Sequence, residues 1–180
     1  MENNISSLLH KSSVFVSSYL EEILPELFDN WWHDSVLSAL SFHQRQRIEQ
    51  SKIKSLASLD LAALLRVLDQ NWYKISMKTN QSSDARHFVK EMQTVRNRWA
   101  HAGTEGFSIE DIYRDLDTLQ RFATVIEADD AFIQEISSTK ATMLTLETVS
   151  NPESCPEGVQ TVPDKETAAV EFELGQVVLL

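Results

Sequence analysis

The chain has 180 residues, of which 42% are hydrophobic, four are Gly and four are Pro, a soluble globular composition with enough apolar residues to form a core. Its net charge of −11 argues against a surface that is basic throughout and coats nucleic acid. The single cysteine, Cys155, excludes an intrachain disulfide and a cysteine-based zinc site and favours a reducing, cytoplasmic compartment.

The charge is unevenly distributed. Residues 129–180 carry 2 basic and 10 acidic side chains, whereas residues 45–98 carry 11 basic and 5 acidic ones. The acidity therefore belongs mainly to the C-terminal end, and the central segment remains compatible with a phosphate-binding site. The five histidines lack the close spacings of a metal site, and no long apolar run or targeting pattern is present, so we expect no metal, no cofactor and no membrane segment.

Apolar residues at helical spacing predict an all-α protein, an up-down bundle of five to six helices. In chain order, helices are predicted over residues 5–27, 35–54, 59–77, 84–102, 109–126 and 129–146, with a connector over 29–34. Ser58 or Asp60 is the expected cap of the third helix and Ser108 that of the fifth. Gly103 suits the left-handed position after the fourth helix.

These patterns divide the chain into four parts. Helices over 1–55 pack on a helical domain over 56–146, which a flexible acidic linker over 147–169 and the start of a β domain over 170–180 follow. Pro152, Pro156 and Pro163 among Ser, Thr and Glu are typical of a linker. Residues 170–174 alternate as a strand does, and an apolar strand is an unusual terminus. We interpret the chain as the N-terminal portion of a longer polypeptide; the alternative is a C-terminal strand that pairs with this domain.

The fourth predicted helix ends in a polar motif, Arg96-Asn97-Arg98-Trp99-Ala100-His101. Asn97 and His101 are four residues apart and share one helix face, and Arg96 flanks Asn97 at about 100° around the axis. Because the apolar face runs through Val95 and Trp99, Arg96, Asn97 and His101 are expected at the margin of the core or facing away from it.

These residue types suit RNA cleavage without a metal ion, because the nucleophile, the ribose 2′-hydroxyl, belongs to the substrate. His101 fits the role of the base that removes its proton, or of the acid at the leaving oxygen. Arg96 would neutralise the charge that develops on the phosphate. Asn97 would orient the histidine or a phosphate oxygen.

Structural roles are the alternatives for the same residues. His101 could bond carbonyls at its helix end, and Arg96 could pair with Asp115 or Asp117. Arg98 is expected to be a solvated helix residue. The basic run over 45–54 could contact RNA phosphate, although a solvated helix face is favoured.

Residues 59–72, 89–101 and 112–121 together resemble the HEPN superfamily (higher eukaryotes and prokaryotes nucleotide-binding domains). The resemblance covers roughly residues 56–128, in a branch similar to the C-terminal domain of the yeast nuclear transcript-surveillance endoribonuclease. Arg96 and His101 meet the family's Arg-x(4–6)-His motif.

The resemblance implies a helical bundle that forms a homodimer, with both copies of Arg96, Asn97 and His101 in one cleft. Such domains are commonly ribonucleases in phage-defence, toxin–antitoxin and RNA-processing systems, often at the N-terminus of large helicase or ATPase proteins. We therefore expect a dimer that binds or cleaves RNA. The alternatives are a catalytically inactive dimerisation or regulatory module and, third, a nucleotide-binding or antitoxin-partnered module.

Overall fold

The computed structural model describes residues 2–82, 84–101 and 106–150, with side chains over 4–82, 84–101 and 106–143. This part of the chain is helical and contains no strand, which confirms the predicted all-α bundle. Its six α-helices are α1 (Glu2–Leu27), α2 (Phe42–Gln50), α3 (Leu61–Thr79), α4 (Ala85–Ala100), α5 (Ile109–Val125) and α6 (Asp130–Ser150). A π-helical turn (Trp32–Leu37) and a 3-10 turn (Leu56–Ser58) complete it. Gly103 and the predicted start of a β domain over 170–180 lie outside the described residues, as does the predicted linker beyond Ser150.

Side-chain caps mark the beginning of α3 and α5. Asp60, one of the two predicted caps, accepts a hydrogen bond from the backbone N–H of Ala63 at 2.9 Å and starts α3. Ser108 accepts from the N–H of Asp111 at 3.1 Å and starts α5, as predicted. At the other end of α3, Asn80 takes the left-handed conformation that ends many helices.

The prediction of one helix over 35–54 is wrong, and the predicted connector before it is partly helical. A non-helical residue, Ser41, separates the π-helical turn from α2 and forms a capping box with Gln44, at 3.4 Å and 3.1 Å. Upstream, the hydroxyls of Ser35 and Ser38 donate to backbone carbonyls one turn earlier. Such bonds compete with regular helix hydrogen bonding, which explains why apolar spacing alone misplaced this helix.

Helix α3 is the centre of the bundle. It packs against α1 and α4, and the chain continues outward as α4 packs on α5 and α5 on α6. Leu64, Leu68 and Ile75 are fully buried on α3, and burial of each such side chain contributes about 1.5–3 kcal/mol. This packing positions α4, whose C-terminal end carries the polar motif.

A buried carboxylate joins α3 to α4. The side chain of Asp69 is 3% exposed, and its oxygens accept hydrogen bonds from Nε of Arg86 at 2.8 Å and Nζ of Lys90 at 2.5 Å. Burial by itself would raise the pKa of Asp69, but the bonds and charges of Lys90 and Arg86 outweigh it and lower the pKa below 3.8. The ionised carboxylate therefore stabilises the contact between the two helices.

We predict that Asp69→Asn lowers the free energy of unfolding near neutral pH by about 2 kcal/mol, because hydrogen bonds to a charged group are lost. Since the folded-state pKa of Asp69 is lowered, its contribution is present above the ordinary value of 3.8 and disappears as the pH falls through the folded value. The difference in the free energy of unfolding between Asp69→Asn and the parent should therefore become smaller in acid. Urea unfolding followed by circular dichroism measures it, with Asp84→Asn, an exposed residue that makes no side-chain cap, as the control. Equal stability of the two variants near neutral pH would contradict the prediction.

Candidate nucleic-acid site

The last turns of α4 bring the three predicted residues to the surface. Asn97 and His101 are exposed and Arg96 is half-buried, whereas Val95 is buried and Trp99 is half-buried against the core. This is the arrangement that the helical spacing predicts. The polar side chains lie at the margin of the core, where a ligand can reach them.

The two arginines of the motif have different surroundings. Arg98 turns towards α5, where its Nη1 lies 3.2 Å from Oδ1 of Asp115 and 3.9 Å from Oδ1 of Asp111. Arg98, whose side chain is 36% exposed, is therefore partly solvated and is also paired with a buried carboxylate. Its charge is neutralised inside the domain.

Arg96, in contrast, has no carboxylate partner among the described residues. Its Nη1 donates to Oδ1 of the neighbouring Asn97 at 3.3 Å. The alternative that Arg96 pairs with Asp115 or Asp117 is wrong, because Asp115 pairs with Arg98 and Asp117 is held by other cations, Arg121 and Lys140, each at 2.6 Å. The remaining guanidinium donors of Arg96 are free to bind an anion.

Trp99 and Asp115 fix the end of α4 on α5. The indole Nε1 of Trp99 donates to Oδ2 of Asp115 at 2.7 Å, and its ring packs on Phe107 with centroids 4.5 Å apart. Asp115 is 3% exposed, and this burial raises its pKa above 3.8 although the Trp99 bond and the charge of Arg98 act in the opposite direction. Both contacts hold the backbone that carries the motif.

His101 is the C-cap of α4, the residue that follows the last helical residue, Ala100. Its backbone N–H donates to the carbonyls of Asn97 and Arg98, at 3.2 Å and 3.3 Å. Its imidazole, by comparison, makes no hydrogen bond with any described residue. The carbonyls at the helix end are therefore bonded by the backbone N–H of His101 and not by its ring, as the structural alternative had it. The exposed ring is accessible to solvent and to a ligand.

Two cavities meet at Arg96. The first, here the α1–α2 cavity, has a volume of about 500 Å³ and mixes apolar walls such as Leu9 and Ile48 with polar groups. The second, here the α3–α4 groove, has a volume of about 480 Å³ and includes Arg66 and Lys90. Sequence reasoning did not select these two cations; the excess of basic residues over 45–98 was the only signal that pointed towards them.

Within the described residues, no group of three or more His, Cys, Asp or Glu side chains lies close enough to hold a metal ion. No helix in the same ranges has both the length and the apolar character required to cross a membrane.

Comparison with known proteins gives one match. A family model described as Swt1-like HEPN matches residues 8–127, a range that contains α2 to α5, most of α1 and the whole motif. The match begins well before residue 56, where the resemblance seen in the sequence begins. No curated protein and no solved structure matches the chain.

The unequal surroundings of the two arginines predict unequal effects on stability. Arg98→Gln should lower the free energy of unfolding by about 1–2 kcal/mol near neutral pH, because it leaves the buried carboxylate of Asp115 without its cation. Arg96→Gln removes the same charge two residues away and should stay within about 0.5 kcal/mol of the parent. Urea unfolding of both variants measures the difference.

The pH dependence provides a further check. Since the folded-state pKa of Asp115 is raised, this group lowers stability as the pH rises from the ordinary value of 3.8 through the folded value. Once Asp115 is protonated it no longer needs the cation of Arg98, so the loss in the free energy of unfolding caused by Arg98→Gln should become smaller in acid. A larger loss from Arg96→Gln than from Arg98→Gln would refute this assignment of the arginines.

Proposed function

This chain belongs to the Swt1-like HEPN family, whose members generally bind or cleave RNA, and from that premise we propose that it forms a homodimer that cleaves RNA through Arg96, Asn97 and His101. The reaction is a transesterification that needs no metal ion. The proposal places both copies of the motif in one cleft, which the two-fold symmetry of a dimer would create.

The observation that carries the proposal is the free charge of Arg96. The other basic residues of α4 are bound to carboxylates: Arg98 to Asp115, and Arg86 and Lys90 to Asp69. Among the described residues, the side chain of Arg96 forms a hydrogen bond only with the neutral amide of Asn97. A planar guanidinium with unused donors binds phosphate well, and an uncommitted one at the surface fits that role better than a structural one.

Each of the three side chains has a distinct part in the proposed reaction. One His101 removes the proton from a ribose 2′-hydroxyl, whose oxygen attacks the adjacent phosphorus. The bond from phosphorus to the 5′-oxygen breaks, and His101 of the partner subunit gives its proton to that oxygen. The products are a 2′,3′-cyclic phosphate and a free 5′-hydroxyl. Arg96 neutralises the charge on the phosphate oxygens, and the amide nitrogen of Asn97, whose oxygen faces Arg96, donates to one of them.

The need for both a base and an acid explains why the proposal requires a dimer. The reaction needs one group that takes a proton and one that gives a proton, and the motif contains a single histidine. Two copies of His101 facing one phosphate would supply both. A monomer would have to leave one of these steps to water.

A second candidate function is a dimerisation or regulatory module without catalytic activity, acting within a larger helicase or ATPase protein. The net charge of −11 favours it, since an autonomous nuclease usually gathers positive charge around its site. A role in phage defence or RNA processing belongs to both proposals and rests on the family resemblance, whereas the proposed cytoplasmic location rests on the single cysteine.

We predict that the purified protein cleaves single-stranded RNA in the presence of EDTA and leaves 2′,3′-cyclic phosphate ends. His101→Ala should abolish cleavage, and Arg96→Gln should reduce kcat/KM by 100-fold or more, on the order of the loss of one oxyanion-stabilising group. Arg114→Gln, which removes an exposed arginine of α5, is the matched control and should retain full activity. Gel analysis of end-labelled RNA gives rates and end groups.

The dimer requirement has its own measurement. Below the dissociation constant of the dimer, the rate should rise with the square of the protein concentration, and sedimentation should place the dimer in the active range. A stable dimer without cleavage would support the second candidate. An active monomer would contradict the shared cleft.

A further inference from the structure

We infer that the α3–α4 groove is the path along which single-stranded RNA leaves the motif. This inference rests on the proposed function, since it assumes that a phosphate binds at Arg96. It adds a binding surface in which Arg66 and Phe42 determine affinity, in addition to the three residues of the motif.

The charge of the groove differs in sign from that of the whole chain. Among the described residues, three cationic side chains line it, Arg66, Lys90 and Arg96, against one carboxylate, Asp69. The chain itself has a net charge of −11. A local excess of cations along an open groove attracts a phosphate backbone irrespective of base sequence.

One face of α4 continues the polar surface from the motif into the groove. Lys90, Gln93 and Asn97 are spaced by three and four residues and all line the groove. At a rise of about 1.5 Å per residue they extend along roughly 10 Å of the helix. Gln70 on α3 lines the groove as well, so amides that can bond sugars or bases alternate with the cations.

The cations are held in place before any ligand binds. Lys90 is fixed by the buried carboxylate of Asp69, at 2.5 Å. Arg66 donates through Nε to the carbonyl of Ala39 at 2.7 Å, and among the described residues no carboxylate pairs with it. Its other guanidinium nitrogens therefore remain available, as they do in Arg96. Fixed side chains lose less conformational freedom on binding.

One exposed aromatic residue is adjacent in the chain to a residue that lines the groove. Phe42, the first residue of α2, is 74% exposed and follows Ser41, which lines the groove. Its only ring partner among the described residues is His43, edge-on at 5.7 Å. An exposed phenylalanine one residue along the chain from a cationic groove offers a ring on which an unpaired base can stack. This feature favours a single-stranded nucleic acid over an acidic peptide as the ligand.

Binding of a fluorescent single-stranded RNA, followed by anisotropy at several salt concentrations, tests the path. The full chain with His101→Ala prevents cleavage, and further variants are added to it. Arg66→Gln should weaken binding about fivefold or more and reduce the slope of log K against log salt by about 0.7, the value for one phosphate contact to a single strand. Phe42→Ala should weaken binding about tenfold and leave the slope unchanged, since stacking is not ionic. Arg114→Gln is the control for loss of charge outside the groove and should change neither value.

Arg66→Gln also removes the bond to Ala39, so a second variant that leaves this bond intact is needed. Gln70→Glu adds a negative charge at an exposed position in the groove and should weaken binding about as much as Arg66→Gln does. Thermal unfolding verifies that each variant is folded.

The outcomes separate the groove from the motif. If Arg66→Gln, Gln70→Glu and Phe42→Ala bind as Arg114→Gln does while Arg96→Gln loses binding, the path is refuted and the proposed function stands. If no form of the protein binds RNA, both proposals fail. Displacement of RNA by polyglutamate at equal charge concentration would also refute the path, because the groove would then recognise any acidic polymer.

Discussion

The rotational setting of α4 between α3 and α5 is the constraint on which the site depends. Val89, Met92 and Val95 are buried by this packing, and their positions determine where every other residue of the helix points. One residue corresponds to about 100° of rotation. Arg96 and Asn97 therefore reach the surface because Val95 enters the core, and exposure of the motif follows from apolar packing rather than from interactions of the motif itself.

Two buried carboxylates determine which basic residues of α4 are paired and which are not. Asp69 of α3 takes Arg86 and Lys90, and Asp115 of α5 takes Arg98. The pKa of Asp69 is lowered because two cations outweigh its burial, whereas the pKa of Asp115 is raised because its burial outweighs one cation and one indole N–H. Both carboxylates come from helices that α4 packs against, so the same contacts that set its rotation also decide which cations remain free.

How much the sequence could predict differs between local and long-range features. Helix starts at Asp60 and Ser108 and the surface position of Asn97 follow from neighbouring residues and spacing, so they could be predicted. The break at Ser41 could also have been predicted, because a Ser followed three residues later by a Gln is the local pattern of a capping box that begins a helix. The pairing of Arg98 with Asp115 could not, because it depends on how α5 is rotated against α4, which no local pattern encodes. For the same reason Arg66 and Lys90, on different helices, could not be assigned to one groove.

The acidity of the chain does not conflict with a phosphate site at Arg96. At physiological ionic strength an exposed charge is screened over about 8 Å, so a phosphate responds to the side chains near it and hardly to a formal total. Those side chains are the cations of the groove and Arg96 itself, with which no carboxylate of the described residues pairs. In addition, 10 of the 27 acidic residues follow position 128. A negative overall charge also limits non-specific binding to nucleic acid, which depends on summed phosphate contacts. Recognition of a phosphate would then depend on the few cations that have no carboxylate partner among the described residues. The pairing of Arg98 with Asp115 and the lack of such a pair at Arg96 together leave Arg96 as the cation of the motif that can bind it.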